Sequence, residues 1–234
     1  MNACRLLPVP LALILSACAF DVRTGPTQHD AVSIARDASE FLSVNLNMGV
    51  GTLRVAPGTT KLAEGDLIYN VETWKPIVRY SSAAGHGALE IDQPGSEHSH
   101  AGNMKYDWGL RLADNVPIDL TVHFGAGEAQ LDLGRLALRT VDVTMGAGEV
   151  HMDLRGVPQR NYDVHIRGGV GEVTVRLPHD VGVSAKAVGG IGEIHTSGLR
   201  KDGDRWVNDA YERSKSTIHL DIHGGIGQIN LLTD

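Results

Sequence analysis

The chain has 234 residues, and its 28 acidic residues exceed its 21 Lys and Arg residues, so the formal net charge is −7 at neutral pH. No cluster of basic residues occurs, which argues against a nucleic-acid partner and against electrostatic binding to anionic lipid. The length suits one domain. With only three Trp, five Tyr and three Phe, a thin interior of aliphatic side chains fits the composition better than a large sandwich core.

Residues 1–17 have the plan of a secretory signal peptide. Arg5 supplies a short positive start, and residues 6–15 form an apolar stretch that is too short to span a bilayer. Small residues follow at Ser16 and Ala17, as at a cleavage site. We therefore exclude this segment from the predicted fold.

The end of that segment, Leu15-Ser16-Ala17-Cys18, resembles the lipobox of bacterial lipoproteins. The resemblance implies cleavage before Cys18 and a diacylglyceryl thioether on its sulfur, usually with a further acyl chain on the new amine. Each buried methylene contributes about 0.8 kcal/mol, so two chains already anchor a protein stably. An ordinary secreted protein with a cysteine beside its cleavage site is the alternative. Ala19, in place of an acidic residue, resembles lipoproteins that diderm bacteria export to the outer membrane.

Cleavage would also remove Cys4 and leave no free cysteine, so no disulfide is expected and stability must come from burial. We predict a flexible tether over residues 18–38, because Gly25, Pro26 and polar residues follow one another without periodicity. One domain should then cover residues 39–234, with an irregular part over 39–107 and regular repeats over 108–234. In the irregular part, Gly85-His86-Gly87 looks like a degenerate copy of the repeat, and residues 93–107 like a polar surface loop.

The repeat is a Gly-x-Gly turn between two stretches in which apolar and polar residues alternate. In one copy Leu120, Val122 and Phe124 face one way before the turn, and Ala129 and Leu131 do so after it. The middle residue of each turn is small or apolar, and we expect it to point inward. The structural glycines are Gly49, Gly51, Gly125, Gly127, Gly146, Gly148, Gly169, Gly171, Gly190, Gly192, Gly225 and Gly227.

Self-similarity at a nearly fixed spacing is typical of a repeat architecture. The pattern therefore predicts an all-β, single-stranded β-solenoid, in which short strands stack and the Gly-x-Gly turns form its corners. The alternative is an antiparallel β meander or sandwich of hairpins, each closed by a three-residue Gly-x-Gly loop. Aligned glycine pairs in a structure would distinguish the first from the second.

The order and spacing of these motifs resemble the bacterial toast-rack family, whose members share a domain with the C-terminal part of LiaF-like cell-wall stress proteins. The resemblance implies a β-solenoid on the outer side of a membrane, without established enzymatic activity. LiaF-like members carry membrane helices and restrain a histidine-kinase system, whereas here a lipid would replace the helices, so only the envelope location carries over. The matching segments include Trp108 with Leu110 and Leu112, Val116-Pro117-Ile118-Asp119-Leu120, Gly125-Ala126-Gly127-Glu128, Gly146-Ala147-Gly148-Glu149, Gly169-Val170-Gly171-Glu172 and Gly224-Gly225-Ile226-Gly227.

The residue after each turn is the first candidate for chemistry: Glu128, Glu149, Glu172 and Glu193, with Gln228 closing the series. Stacked carboxylates about 4.8 Å apart would repel by about 1 kcal/mol in water and by roughly 3–4 kcal/mol at an effective dielectric near 20. Exposure, protonation, partners across the turn such as His123, Arg167 and His223, or a bound cation would relieve that repulsion.

Three interpretations of this row remain open. It is a repeated, solvated position, or a site for Ca²⁺ or another cation, or it contains the carboxylate pair of a retaining glycosidase. An active site needs one special pair, whereas this residue recurs on four turns, so we predict no catalytic residue and favour the first interpretation. His219, Asp221 and His223 are a second candidate metal site. We expect Trp74, Trp108 and Trp206 to pack the ends of the stack.

The sequence thus predicts a non-enzymatic, lipid-anchored protein of the bacterial cell envelope that acts as a structural or interaction module, with a role in envelope or cell-wall stress. Its expected contacts are the membrane, through the lipid, and a protein or glycan of the envelope, and no cofactor is expected. The protein would face the periplasm or the exterior, on the outer membrane if the organism is diderm. The alternative is a cation-dependent carbohydrate-binding module.

Overall fold

The computed structural model describes residues 24–95 and 104–234, which form thirteen strands of one sheet and a single 3₁₀ turn, Glu72–Trp74. The signal peptide and Cys18 lie outside the described residues, as does most of the loop expected at 93–107. No helix in the described part of the chain is long and apolar enough to cross a membrane. The strands are β1 (Gln28–Ile34), β2 (Phe41–Pro57), β3 (Ala63–Tyr69), β4 (Ile77–Ala83), β5 (His86–Asp92), β6 (Tyr106–Leu112), β7 (Pro117–Asp132), β8 (Ala137–Asp153), β9 (Tyr162–Leu177), β10 (Gly182–Ser197), β11 (Arg200–Asp202), β12 (Arg205–Val207) and β13 (Thr217–Thr233).

Six long strands lie parallel and in register, in the order β2, β7, β8, β9, β13, β10. Each contains one Gly-x-Gly corner, and the corners form a column in which Gly127 pairs with Gly51 and with Gly148. The predicted single-stranded β-solenoid is confirmed. The hairpin alternative is wrong for these repeats, because the two strands of a hairpin run antiparallel.

The core lies between the two halves of each long strand, which we call the leading half, before the corner, and the trailing half, after it. In β7, Leu120 and Val122 of the leading half and Ala129 and Leu131 of the trailing half are all buried. Successive side chains of a strand point to opposite faces, so the alternating sequence gives each half one apolar face. Stacking then joins these faces into a continuous aliphatic interior.

The corner glycines are required by the close approach of neighbouring coils. Gly171 has a φ of +135°, and a Cβ built on it would lie 1.8 Å from the carbonyl oxygen of Gly148. Residues with a side chain rarely adopt that backbone conformation, and no Cβ atom fits so close to a carbonyl oxygen. The second glycine of the corner is therefore required by both backbone angle and space.

In the corners of β9, β13 and β10 the middle residue faces outward, so the prediction that it points inward is wrong there. Val50, in the corner of β2, is partly buried and packs against the core. Val170 and Ile226 are each 51% exposed, and Ile191 is 70% exposed. The interior beside the corner is already filled by flanking side chains such as Met145 and Val150, which are buried. An apolar ridge consequently runs along the outside of the column toward β10.

The stacking order differs from the chain order. The last repeat, β13, lies between β9 and β10, with Ile226 between Val170 and Ile191 in the column. Before it inserts, the chain forms the short strands β11 and β12, and β12 pairs antiparallel with the start of β10 at Ser184 and Ala185. The excursion that separates the last two turns in sequence therefore lies at the β10 end of the stack.

The irregular N-terminal part covers the other end. β5 pairs with the leading half of β2 and β6 with its trailing half, while β4, β3 and β1 add antiparallel strands beyond them. Aromatic residues fill the interior there: ring centroids of Tyr106 and Trp108 are 5.7 Å apart, and those of Trp74 and Tyr106 are 6.3 Å apart. Trp74 and Trp108 are buried, as expected for end packing.

Two predictions for this part are wrong. Gln28–Ile34 is a strand paired with β3, so the expected tether over 18–38 cannot extend through these residues. Only Val32 of this strand is buried. The strand therefore lacks the alternation of apolar and polar residues that marks a strand with one buried face. Gly85-His86-Gly87 is not a corner of the solenoid. Ala84 and Gly85, with φ of 50° and 75°, instead form the tight turn of the antiparallel β4–β5 hairpin.

Candidate interaction surface

The glutamate row predicted from the repeats exists on the outer face of the trailing halves. Backbone register places Glu128 beside Glu149, and Glu149 beside Glu172. Gln228 then lies between Glu172 and Glu193, so the prediction that it closes the series is wrong. The insertion of β13 thus leaves three neighbouring carboxylates and separates the fourth from them by a neutral amide.

Side chains two residues further along each strand contact these carboxylates. Gln130 Nε2 donates to Glu128 Oε1 at 2.5 Å, and Nε2 of His151 lies 3.2 Å from Glu149 Oε2. Glu172 Oε1 accepts from Thr174 Oγ1 at 2.9 Å and from the Asn230 amide at 2.8 Å. Mutual repulsion between the carboxylates is thus relieved by partial or full exposure to solvent and by polar neighbours on the same half, and none of these contacts comes from across the corner.

Beside this row, the trailing halves of β2, β7, β8 and β9 form a shallow groove of about 500 Å³. It carries both signs of charge and hydrogen-bonding groups of both kinds. Its outward side chains are Arg54, Ala56, Gln130, Asp132, His151, Asp153, Thr174 and Arg176. We call these residues the trailing groove.

Ion pairs fix part of the trailing groove. Arg155 lies 2.6 Å from Asp153 and 3.2 Å from Asp234, which also lies 3.4 Å from Arg176. Partial burial acts to raise the pKa of Asp153, but hydrogen bonds and charge from Arg155 outweigh it and lower the pKa below the ordinary value. The carboxylate therefore stays ionised at neutral pH, and the groove presents fixed charges to a ligand.

The second candidate set, His219, Asp221 and His223, lies on the leading half of β13 and so on a different face from the glutamates. His223 Nε2 is 2.9 Å from Asp221 Oδ1. Asp221 pairs in register with His165 and Lys186, a row of alternating acidic and basic side chains. Within residues 24–95 and 104–234, no group of three or more His, Cys, Asp and Glu side chains is arranged to hold a metal ion.

Tryptophans do not form an exposed platform for sugar stacking in the described structure. Trp74 and Trp108 belong to the aromatic cluster at the N-terminal end. Trp206 is partly buried, packs against the core, and has the Lys201 ammonium 5.6 Å from its ring. The trailing groove itself contains no tryptophan.

Sequence reasoning missed most of the trailing groove. Arg54 and Arg176 belong to different copies of the repeat, and their only shared signal is an outward position after the Gly-x-Gly turn. The exposed ridge of Val170, Ile226 and Ile191 was also missed, because an apolar side chain beside two glycines reads as interior.

Comparison with known proteins places this geometry in a family. A family model described as the N-terminal domain of toast_rack matches residues 23–176, and a model described as the C-terminal domain of LiaF, of the cell wall-active antibiotics response, matches residues 126–231. No curated protein gave a significant match.

Among solved structures, a candidate cell adhesion protein from Clostridium sporogenes is 33% identical, with a TM-score of 0.87 over 89% of this chain and 100% of that one. A candidate adhesin from Bacteroides fragilis (12% identity, TM-score 0.25) aligns with 88% of this chain and 97% of its own. Another, from Parabacteroides distasonis (10%, 0.32), covers the same shares. The last two scores are too low to support any conclusion. The toast_rack model and the Clostridium structure together show that the chain belongs to the toast-rack family, and residues 126–231 are similar to the C-terminal domain of LiaF.

Proposed function

We propose that the protein is a non-enzymatic interaction module of the bacterial cell envelope, held on a membrane by lipid on Cys18, which binds an envelope protein or glycan through the trailing groove. The observation that carries the proposal is the match over the whole Clostridium chain, which is described as a candidate cell adhesion protein. The LiaF-like match over residues 126–231 supports a role in the response to cell-wall damage.

The trailing groove supports binding in preference to turnover. Asp153 and Arg176 of the groove form ion pairs with the neighbouring Arg155 and Asp234, and the carboxylates of the groove recur along a repeat. Fixed charges of both signs, together with hydrogen-bond donors and acceptors, suit a polar partner such as a glycan or a protein surface. Glycoside hydrolysis instead needs one pair of carboxyl groups that flank the scissile bond.

Cell fractionation tests the anchor. The chain should sediment with membranes, resist extraction by high salt and be released by detergent, because acyl chains and not charges hold it. Cys18→Ser should leave the protein in the soluble fraction. Equal membrane association of both forms would contradict lipid anchoring at this residue.

Photo-crosslinking in intact cells tests the groove. A photoreactive amino acid at His151 should give a defined crosslinked species, and the same replacement at Thr144, which is exposed on the leading half of the same strand, should give none. Mass spectrometry of the species identifies the partner. Identical products from both positions, or none from His151, would contradict a binding role for the trailing groove.

A further inference from the structure

The outer edge of β10 is largely unpaired. β12 covers only Ser184 and Ala185, whereas β13 pairs with β10 from Gly182 to Ser197 on the opposite side. From Lys186 onward, no strand of the described chain lies on the outer edge. A run of free N–H and C=O groups of this kind is a template for pairing with a further strand.

Apolar side chains collect beside this edge. Ile191 is 70% exposed, Val188 47% and Ile226 51%. Farther along the column, in β7 and β8, the positions equivalent to Ile191 hold the smaller side chains of Ala126 and Ala147. Free backbone groups and exposed apolar side chains therefore coincide at one end of the stack, as in surfaces that are covered by a partner.

We propose that this edge pairs with the same edge of a second copy, antiparallel, about a two-fold axis at the Gly-x-Gly corner of β10. The proposal does not depend on the function proposed above. A two-fold axis joins identical surfaces. With an axis perpendicular to the sheet, the core-facing sides of the two copies join on the same side of the combined sheet. With an axis along the strands, the core-facing side of one copy would instead join the solvent-facing side of the other.

The corner sets the register. In the leading half, inward positions are odd: Ala187 is 6% exposed, and a Cβ on Gly189 would lie 3.9 Å from the Ile194 side chain. In the trailing half, inward positions are even, namely Ile194 and Thr196, which are partly buried. Antiparallel pairing centred between Ile191 and Gly192 therefore places inward residues opposite inward residues along the whole edge.

The strand is complementary to itself in this register. Small residues face large ones: Ala187 faces Thr196, Gly189 faces Ile194, and Gly190 faces Glu193. Lys186 faces Ser197 and Val188 faces His195, so no two like charges are directly opposed. A two-stranded contact of this length makes roughly twelve backbone hydrogen bonds, within the usual number for a stable interface. An unrelated extended peptide would use the same backbone groups but lacks the match of side-chain sizes.

Disulfide trapping of the full-length chain in intact cells tests the pairing. With Ile191→Cys, the two cysteines lie next to the axis and within the roughly 7 Å Cα separation that a disulfide allows, so mild oxidation should give a covalent dimer. Ile226→Cys is the matched control: it is also half-exposed but lies one strand inward, roughly 14 Å from its counterpart. The unsubstituted chain sets the background. No dimer with Ile191→Cys, or equal dimer with Ile226→Cys, would overturn the proposal.

Sedimentation equilibrium of the purified full-length chain gives an independent readout, in detergent matched to the solvent density. The unsubstituted chain should be a dimer, and Ile191→Lys a monomer with an unchanged circular dichroism spectrum, because a charge at the edge opposes strand pairing. A monomeric unsubstituted chain would contradict the pairing and favour a different occupant. An open series of larger species would contradict the two-fold contact, because isologous pairing closes at two.

Discussion

At the scale of single residues, the corner glycines decide how closely the coils stack. A Cβ on the last glycine of a corner meets the backbone of the coil before it, as Gly171 does against Gly148. A backbone carbonyl cannot move aside without disturbing its own coil. The cost of a side chain there should therefore far exceed that of an ordinary Gly→Ala substitution.

Gly171→Ala should destabilise the protein by more than about 3 kcal/mol, through backbone strain at positive φ and the clash with the Gly148 oxygen. Gly168→Ala is the matched control, since a Cβ there would lie in ordinary contact with Met145 and Val173, at 3.7 and 3.8 Å. It should change stability by less than about 1 kcal/mol. Urea unfolding measures both, and similar midpoints for the two variants would contradict the close-stacking argument.

Asp37 provides a prediction for pH dependence. Its carboxylate accepts from Tyr80 Oη at 2.6 Å and from the Ser39 amide at 2.8 Å, and these bonds hold the pKa of Asp37 well below its ordinary value. A lowered folded-state pKa contributes stability that is present above the ordinary Asp pKa of about 3.9 and is lost as pH falls through the folded-state value. Carboxyl-carbon NMR titration should show this low midpoint. Tyr80→Phe should raise it, and an unchanged midpoint would contradict the assignment.

The glutamate row gives a prediction about metals. Because the carboxylates are exposed or only partly buried and contact polar side chains of their own strands, we expect the melting temperature to be the same in millimolar Ca²⁺ or Zn²⁺ as in chelator. A ligand that binds only the native state would raise the midpoint. A rise that Glu149→Gln abolishes would instead establish a cation site in this row.

Alternation in the sequence was sufficient to predict which residues of the repeats lie inside, such as Leu120 and Val150. The same reasoning failed at the corner itself. Strand periodicity assumes that the backbone continues straight, whereas the corner bends, and the outward direction of Ile191 follows from the bend. The contacts of the glutamates depend on rotamers, which an alternating pattern does not specify.

At the scale of elements, the position of β13 is the feature that sequence order could not predict. All copies present the same inward and outward pattern, so β13 matches β9 and β10 equally well, and local pairing alone does not fix the order. The longer spacing before the last turn was the only signal. Residues 198–216 make the insertion sterically feasible by carrying the chain away from β10 and back.

Asn208 fixes that excursion to the stack. Its amide nitrogen donates to the carbonyl of Val181 at 2.7 Å and to those of Pro178 and His179 at 3.3 Å, and its Oδ1 accepts from Val183 N at 3.0 Å. The side chain is almost fully buried. Removing it leaves several buried backbone groups without a partner.

Asn208→Ala should therefore reduce the free energy of unfolding by about 2–4 kcal/mol. Asn161→Ala is a suitable control, because Asn161 also accepts a backbone hydrogen bond, from Thr217 N at 2.8 Å, but is exposed. We expect it to cost less than about 1 kcal/mol. If chemical denaturation gave equal costs, burial of the Asn208 network would not be what holds the excursion.

At the scale of the whole molecule, the two ends of the solenoid are treated differently. An aromatic cluster and five additional strands cover the β2 end, whereas the β10 end is covered only by the two short strands β11 and β12. The composition predicted an aliphatic interior, which holds for the repeats and not for the covered end. The strands that cover the β2 end do not follow the repeat, so the sequence could not predict how they are arranged.

Cysteine pairs across the column test the stacking order on which this description depends. Glu172→Cys with Gln228→Cys joins neighbouring strands about 4.8 Å apart, so mild oxidation should form an intramolecular disulfide, seen by mass spectrometry of the monomer. Glu172→Cys with Glu193→Cys spans two strand spacings, about 10 Å, and should not. Stacking in chain order would give the opposite result, with a bridge between 172 and 193 and none between 172 and 228, and would contradict the account.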